Sequence, residues 1–411
     1  MKKSLLLSLI LSANLNWAAT PTADVAIVLD TSGSMQGLIN QVRDGLWKTL
    51  NSLGELKKDG EKARVRLALF EYGSGIVSGE AGHIQLLSEL STDHTAVAEA
   101  LFATTTTGSN EFSGLAIQRA TDHLSWSDSL EDFKSIVIAG NETIHQGPQA
   151  PIDAAKVAFG KDIIVNTIFA GSQTQAAPRP FGGGHFGCGG FFCPNPTPVP
   201  NEPPVQTEPV ANPIFLEWTE MANAGGGKIL NIDHNQSAPY IPSPFDEEII
   251  KKTTSINETF LPFGKNGQSQ YDRMVDLDGN IRNSGAGSYM DWGDYRGGNF
   301  GVGSQSDWDL VSLFIESEEN SSEKFMKTLS KLSYEELPDL LKNKTLSEKV
   351  SFVKDFVQKR TDIENDIAEL KEKRKLFVEN EREQREGETK TFDAAFKEII
   401  TQQLEDKGFS L

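Results

Sequence analysis

The chain has 411 residues, a formal net charge of −19 and only two cysteines. That acidity excludes phosphate backbones and anionic membranes as natural ligands, because both recruit surfaces rich in Lys and Arg. The length leaves room for two or three domains.

Residues 1–19 combine a basic "MKK", the apolar "SLLLSLILSA" and the small-residue "NLNWAA". This is the pattern of a secretory signal peptide, cut after Ala18 or Ala19. No cysteine follows closely enough for a lipid anchor, and no later apolar run approaches the roughly 18 residues of a membrane helix. The mature protein is expected to be exported, periplasmic or extracellular, with no stable membrane span.

Over residues 23–240, apolar β-rich runs alternate with helical patterns. "DVAIVLD" reads as a buried strand, and the helix after it carries Leu38, Ile39, Val42, Leu46 and Leu50 at helical spacing. "ARVRLALFEYG" and "IQLLSEL" are strands. "DHTAVAEALFAT", capped by Asp93, and "EFSGLAIQRATDHL" are helices. The strands "KSIVIAG" and "DIIVNTIFAG" flank the helix "IDAAKVAF", and the helix "PIFLEWTEMANA" leads into "KILNID". Such alternation predicts an α/β fold with a doubly wound, mostly parallel, Rossmann-like sheet.

The unit is interrupted at residues 171–213 by a Pro- and Gly-rich surface insertion. There, "CGGFFC" holds Cys188 and Cys193, which an exported chain is expected to join as a disulfide. Zinc at this pair and His185 lacks a fourth ligand. Residues 241–340 begin helical, then turn Gly-, Asn- and Asp-rich and read as an irregular, mixed extension. Within it "DLDGN" reads as a turn, since the full spacing of a calcium loop is absent. Residues 341–411 form a predicted C-terminal helical hairpin. Its first helix, from about Ser347 to Glu386, is charged, with Ile363, Ile367, Leu370 and Phe377 along one seam of coiled-coil type. Its second carries Phe392, Phe396, Ile399, Ile400 and Leu404.

One motif carries chemistry. In "IVLDTSGSM", Asp30, Ser32 and Ser34 place three oxygens on a loop at the carboxyl end of a strand. Open parallel sheets bind their ligands there, and hard divalent cations favour oxygen donors of this kind. "DTSGS" in a βα alternation resembles the von Willebrand factor A domain, whose metal-ion-dependent adhesion site has the form Asp-x-Ser-x-Ser. The resemblance implies two more site loops, and this chain departs from the family in both. Where the second loop has a threonine, counting back from the helix in "TTGSNEFSGLAI" gives Glu111, with Ser109 as the alternative. Where the third has an aspartate, "IVIAGNE" gives Gly140, followed by Asn141 and Glu142.

The expected metal set is therefore Asp30, Ser32, Ser34, Glu111, Asn141 and Glu142, holding Mg2+ or Ca2+. Glu111 either replaces the carboxylate lost from the third loop or occupies the position meant for a partner's acid. A degenerate, metal-free site is the other outcome. "IVIAGNETIHQGP", "NTIFAG", "GGGKILNID", "INETFLPFG" and "WDLV" are also similar to secreted bacterial proteins of the A-domain class, a likeness that runs to about Phe314.

The resemblance implies a binding module that mediates protein interaction or adhesion, accepting an acidic residue of a protein partner at the metal. Two alternatives stand beside it. One is a metal-dependent hydrolase with Glu111 or Glu142 as general base; the other is a metal-free assembly scaffold built on the hairpin. A Gly-rich phosphate loop and a GxSxG elbow are absent from the sequence. The six histidines are scattered, with His145 close to the third loop.

Overall fold

Along the strand Thr22–Asp30, successive side chains enter two different hydrophobic cores. Val25, Ile27 and Leu29 enter one, Ala26 and Val28 the other. A strand buried on both faces belongs at the centre of a sheet covered by helices on each side. The computed structural model contains that sheet, and it describes residues 20–54, 56–175, 210–232, 240–297, 305–320, 322–383 and 392–410.

In chain order the strands are β1 (Thr22–Asp30), β2 (Lys57–Lys58), β3 (Glu61–Lys62), β4 (Arg64–Tyr72), β5 (Ile84–Ser91), β6 (Phe133–Gly140), β7 (Ile164–Ala170), β8 (Thr174–Gln175), β9 (Val210–Ala211), β10 (Gly226–Ile232) and β11 (Phe409–Ser410). Six of them form the main sheet in the order β10-β7-β6-β1-β4-β5. Its pairs are parallel except β4 with β5. The connection between these two is too short for a crossover, so β5 must return antiparallel.

Helices α1 (Gln36–Leu53) and α2 (His94–Ala103) pack on one face of the sheet. On the other lie α3 (Ser113–His123), α4 (Pro151–Gly160) and α5 (Pro213–Ala224). Asp93 caps α2 as predicted, its carboxylate accepting from the Ala96 N–H. The doubly wound α/β class read from the sequence is the one observed. At the base of the insertion, β8 and β9 pair antiparallel. Cys188, Cys193 and the predicted signal peptide at 1–19 lie outside the described residues.

The extension is helical where its composition suggested irregular chain. After α6 (Asp246–Ser255) come α7 (Gly267–Ser284) and α8 (Ala286–Gly297), and "DLDGN" lies inside α7, not in a turn. Burial overrides the weak helix propensity of Gly, Asn and Asp. Met274, Leu277, Ile281, Tyr289, Trp292 and Tyr295 are all buried. Trp292 and Tyr295 stack on each other and pack, tilted, against Trp47 of α1, with ring centroids 4.5 and 4.7 Å from it.

The remaining helices are α9 (Leu310–Asn320), α10 (Ser322–Lys331), α11 (Leu346–Glu383) and α12 (Phe392–Asp406). "INETFLPFG" and "WDLV" meet each other: Phe263 N–H donates to Trp308 O at 2.7 Å, and Leu310 N–H to Leu261 O at 3.0 Å. Arg360 of α11 pins the junction through a buried ion pair with Asp309 at 2.8 Å. Both predicted C-terminal helices are present. The second does not stand apart, because the stripe of Phe396, Ile399, Ile400 and Leu404 is buried in the core beside α1 and β10. Just beyond it, β11 pairs antiparallel with β2. No helix among the described residues is long and apolar enough to cross a membrane.

Candidate metal centre

β1 and β4 are in register, so Asp30 stands beside Tyr72 where both strands end. The chain then turns at once into α1, with Met35 N–H donating to Ser32 O at 3.1 Å. This first loop is laced to its neighbours by main-chain bonds. Thr31 N–H donates to Tyr72 O at 2.9 Å, Thr107 N–H to Thr31 O at 2.8 Å, and Gly33 N–H to Gly108 O at 3.1 Å.

The site residues converge on this platform. Asp30 is fully buried, and its Oδ1 accepts the Ser32 N–H at 2.8 Å. Ser32 Oγ and Ser34 Oγ lie 3.3 Å apart. From the third loop, Asn141 Nδ2 donates to Ser34 Oγ at 3.3 Å. From the second, Glu111 is 4% exposed and its carboxyl sits against Asp30 and Ser32. Ser109, the alternative, is exposed, as are Glu142 and His145. Thus Asp30, Ser32, Ser34, Glu111 and Asn141 come together, with Glu142 standing at the mouth.

Burial dominates the electrostatics. It pushes the Asp30 carboxyl up to about 7 and, with the charge of Asp30 adding to it, the Glu111 carboxyl up to about 8. Two facing carboxyls in a dry site titrate as a unit. Burial also raises the Tyr72 phenol beside them. Asp30 Oδ2 and Glu111 Oε1 are buried and accept no hydrogen bond. An unpaired buried oxygen is costly and calls for an explanation. An oxygen-only set of two carboxylates and two hydroxyls fits a hard divalent cation such as Mg2+ or Ca2+. Still, no three His, Cys, Asp or Glu side chains among the described residues form a ready cluster.

Two glycines shape the cavity. Gly73 has φ +79, and a Cβ there would lie 2.9 Å from Asp30 Oδ1 and 3.2 Å from Glu111 Cγ. Gly140 is the position at which the resemblance implies an aspartate. A Cβ at that position would meet the Tyr72 hydroxyl at 2.4 Å and the Trp218 ring at 2.9 Å. The space a larger side chain needs is therefore filled. The Tyr72 hydroxyl is held there by donating to Ala139 O at 3.0 Å.

Motif reading missed the supporting residues. Gln146 accepts the Glu111 N–H at 3.1 Å and donates to Glu142 Oε2 at 3.2 Å. Trp218 Nε1–H donates to the Glu142 carbonyl at 2.8 Å. Glu217 accepts from the Thr143 hydroxyl at 2.7 Å and the Ile144 N–H at 3.2 Å. These two α5 residues come from "FLEWTEM", and the sequence signal was a Trp flanked by acids on a helix expected to be wholly structural.

Residues 24–177 match the family model described as the von Willebrand factor type A domain. Among solved structures, the chain is similar to the conserved hypothetical protein BatB from Bacteroides thetaiotaomicron, at 14% identity over 62% of this chain and 98% of that one, with a TM-score of 0.33. It is also similar to an aerotolerance-related membrane protein from Bacteroides fragilis, at 17% identity over 51% and 92%, with a TM-score of 0.31. A third is the SpRpn10 VWA domain, at 15% identity over 54% and 89%, with a TM-score of 0.32. No curated protein matches the chain.

Proposed function

We propose that this chain, whose residues 24–177 form a von Willebrand factor type A domain, is an exported binding protein that engages a protein partner through a divalent cation at the carboxyl end of its sheet. The observation that supports this reading is the pair of buried, unpartnered oxygens, Asp30 Oδ2 and Glu111 Oε1, on carboxyls that sit against Ser32, whose hydroxyl lies 3.3 Å from that of Ser34. Asp30, Ser32, Ser34 and Glu111 would hold the cation, with Asn141 and Glu142 at its rim. When bound, Mg2+ or Ca2+ supplies a positive centre for an acidic side chain of the partner. Glu111 is read as the carboxylate that compensates for Gly140. The laced first and second loops keep the donors in place without the cation, which favours binding by lowering the cost of ordering. Export is read from the leader at 1–19, and a Cys188–Cys193 disulfide from the oxidising compartment that export implies.

Calorimetric titration of Mg2+ and Ca2+ into the mature protein tests the reading. Binding is expected for wild type, none for Asp30→Ala, and weaker binding for Glu111→Thr. A wild-type protein that gives no binding heat and no cation-dependent rise in melting temperature overturns the cation seat. Tighter binding by Glu111→Thr overturns Glu111 as a ligand. Intact-mass analysis of unreduced, alkylated protein tests the disulfide; two alkylated thiols refute it.

A further inference from the structure

We propose that Arg43 of α1 is a positioning residue for the cation site: it fixes where the chain leaves α2, and so where the second loop brings Glu111 against Asp30. The inference rests on the cation reading above and concerns how that site is assembled.

A helix leaves its last four carbonyls without partners of its own, and a glycine just past the end commonly closes it. Here α2 stops at Ala103 and runs into four threonines, Thr104 to Thr107, with no glycine before Gly108. Arg43 closes the helix from a different element. Its Nε and Nη2 both reach Leu101 O at 3.2 Å, and Nη2 also reaches Phe102 O at 3.2 Å and Thr104 O at 2.6 Å. The guanidinium lies over the Phe102 ring, 5.8 Å from its centroid. Thr104 Oγ1 donates to Ala100 O at 2.9 Å, and the chain becomes extended at Thr104. A positive charge at the carboxyl end of a helix also suits its dipole.

From that point the second loop follows α1 back towards the site. Thr106 Oγ1 donates to Gln36 Oε1 at 2.9 Å, Thr107 N–H to Thr31 O at 2.8 Å, and Gly108 O accepts the Gly33 N–H at 3.1 Å. Together with Arg43, these partners all lie in the first site loop and the helix it opens. Arg43 is the outermost rung of one ladder whose inner end is the cation seat. Glu111 has little of its own to hold it there. Burial of its carboxyl is unfavourable, and Oε1 accepts no hydrogen bond. Its place is imposed by the main chain, which Arg43 sets at one end and Gln146 at the other, through the Glu111 N–H.

Arg43→Lys keeps the charge and loses the planar fork; Arg43→Ala loses both. In calorimetric titrations with Mg2+, Arg43→Ala is expected to weaken binding about tenfold and Arg43→Lys by less. Removing a positive charge would by itself tighten a cation, so the sign separates positioning from charge. In a Glu111→Thr background the same substitutions are expected to change affinity by less than about twofold, because the ligand they position is gone. In cation-free protein, Arg43→Ala is expected to speed hydrogen exchange at the Thr107 and Glu111 amides while β1 and β6 stay protected. Wild-type affinity and wild-type exchange in both Arg43 variants overturn the proposal and leave the cation seat standing. An equal loss of affinity in both backgrounds makes Arg43 a general support of the fold and overturns it too. A wild type that binds neither Mg2+ nor Ca2+ defeats the seat and this inference with it.

Discussion

Asn166 and Gln403 exchange two hydrogen bonds across 237 residues of chain. Gln403 Nε2 donates to Asn166 Oδ1 at 2.9 Å, and Asn166 Nδ2 returns a bond to Gln403 Oε1 at 2.8 Å. Asn166 also donates to Ser135 Oγ and accepts the Lys228 N–H, so its amide is fully used. The pair ties α12 to β7, the strand next to the sheet's edge strand β10.

Replacing Gln403 with Leu leaves two buried amide atoms of Asn166 each short of a partner. The cost is expected to be about 1–3 kcal/mol. Urea unfolding followed by tryptophan fluorescence measures it; a variant within about 0.5 kcal/mol of wild type would mean that α12 is not fixed by this pair.

The carboxyl pair at the metal centre makes the cation-free domain sensitive to alkali. In the unfolded chain these acids lose their protons near 4, at 3.8 for Asp30 and 4.5 for Glu111. In the fold they hold them to about 7 and about 8. The native state thus binds more protons through that window, and stability falls as pH rises from about 4 to about 8. Asp30→Asn keeps an acceptor for the Ser32 N–H and removes one charge. Without cation at pH 8 it is expected to melt above wild type, with the difference shrinking towards pH 4. It is also expected to lose the response to Mg2+. A cation-free Asp30→Asn melting below wild type at pH 8 would contradict the raised carboxyls.

A side chain at Gly140 is expected to be costly. Gly140→Ala forces apart the Tyr72 hydroxyl and the Trp218 ring, at a cost of about 1–3 kcal/mol, and Gly140→Asp is expected to cost more. In the Gly140→Ala background, Tyr72→Phe removes the nearer obstacle and is expected to recover part of the loss. A double-mutant cycle reads that coupling directly; strict additivity would show that the hydroxyl is not the obstacle.

His94 gives the opposite limb. Burial lowers its imidazole to about 4, and Nε2 lies 3.1 Å from the Val65 carbonyl. The unfolded chain takes up a proton below 6.5, while the fold stays neutral until about 4. Stability contributed by the neutral ring is therefore lost as pH falls through this range, by up to about 1.4 kcal/mol per pH unit. His94→Gln is expected to flatten that slope in a series of melts from pH 7 to pH 4. An unchanged slope would assign the acid limb to carboxylates elsewhere.

Legibility in the sequence followed the range of the forces involved. β1, β6, β7 and α5 were readable because each carries its own apolar period, and Asp93 because a helix cap is local chemistry. The first site loop was readable for the same reason, since Asp30, Ser32 and Ser34 are neighbours in the chain. Glu111 came from counting back from a helix, and the structure sets it against Asp30. What stayed hidden depends on distant partners. Helix α8 is buried against Trp47 of α1 and α7 packs on α8, neighbours that no window over their Gly and Asp residues contains. Gly140 looked like a missing ligand, and only Tyr72 and Trp218, far from it in sequence, show why a glycine is required. The role of Gln146 is a relation among three loops and has no local signature.

The placement of α12 also bears on how the chain is made. The sheet's last strand, β10, is synthesised long before the helix that covers it and α1. Until that helix emerges, α1 and β10 lack the cover that Phe396, Ile399, Ile400 and Leu404 bring to the core. Contacts between segments this far apart close slowly. A ribosome therefore delivers nearly the whole chain before this part of the core receives its last covering helix.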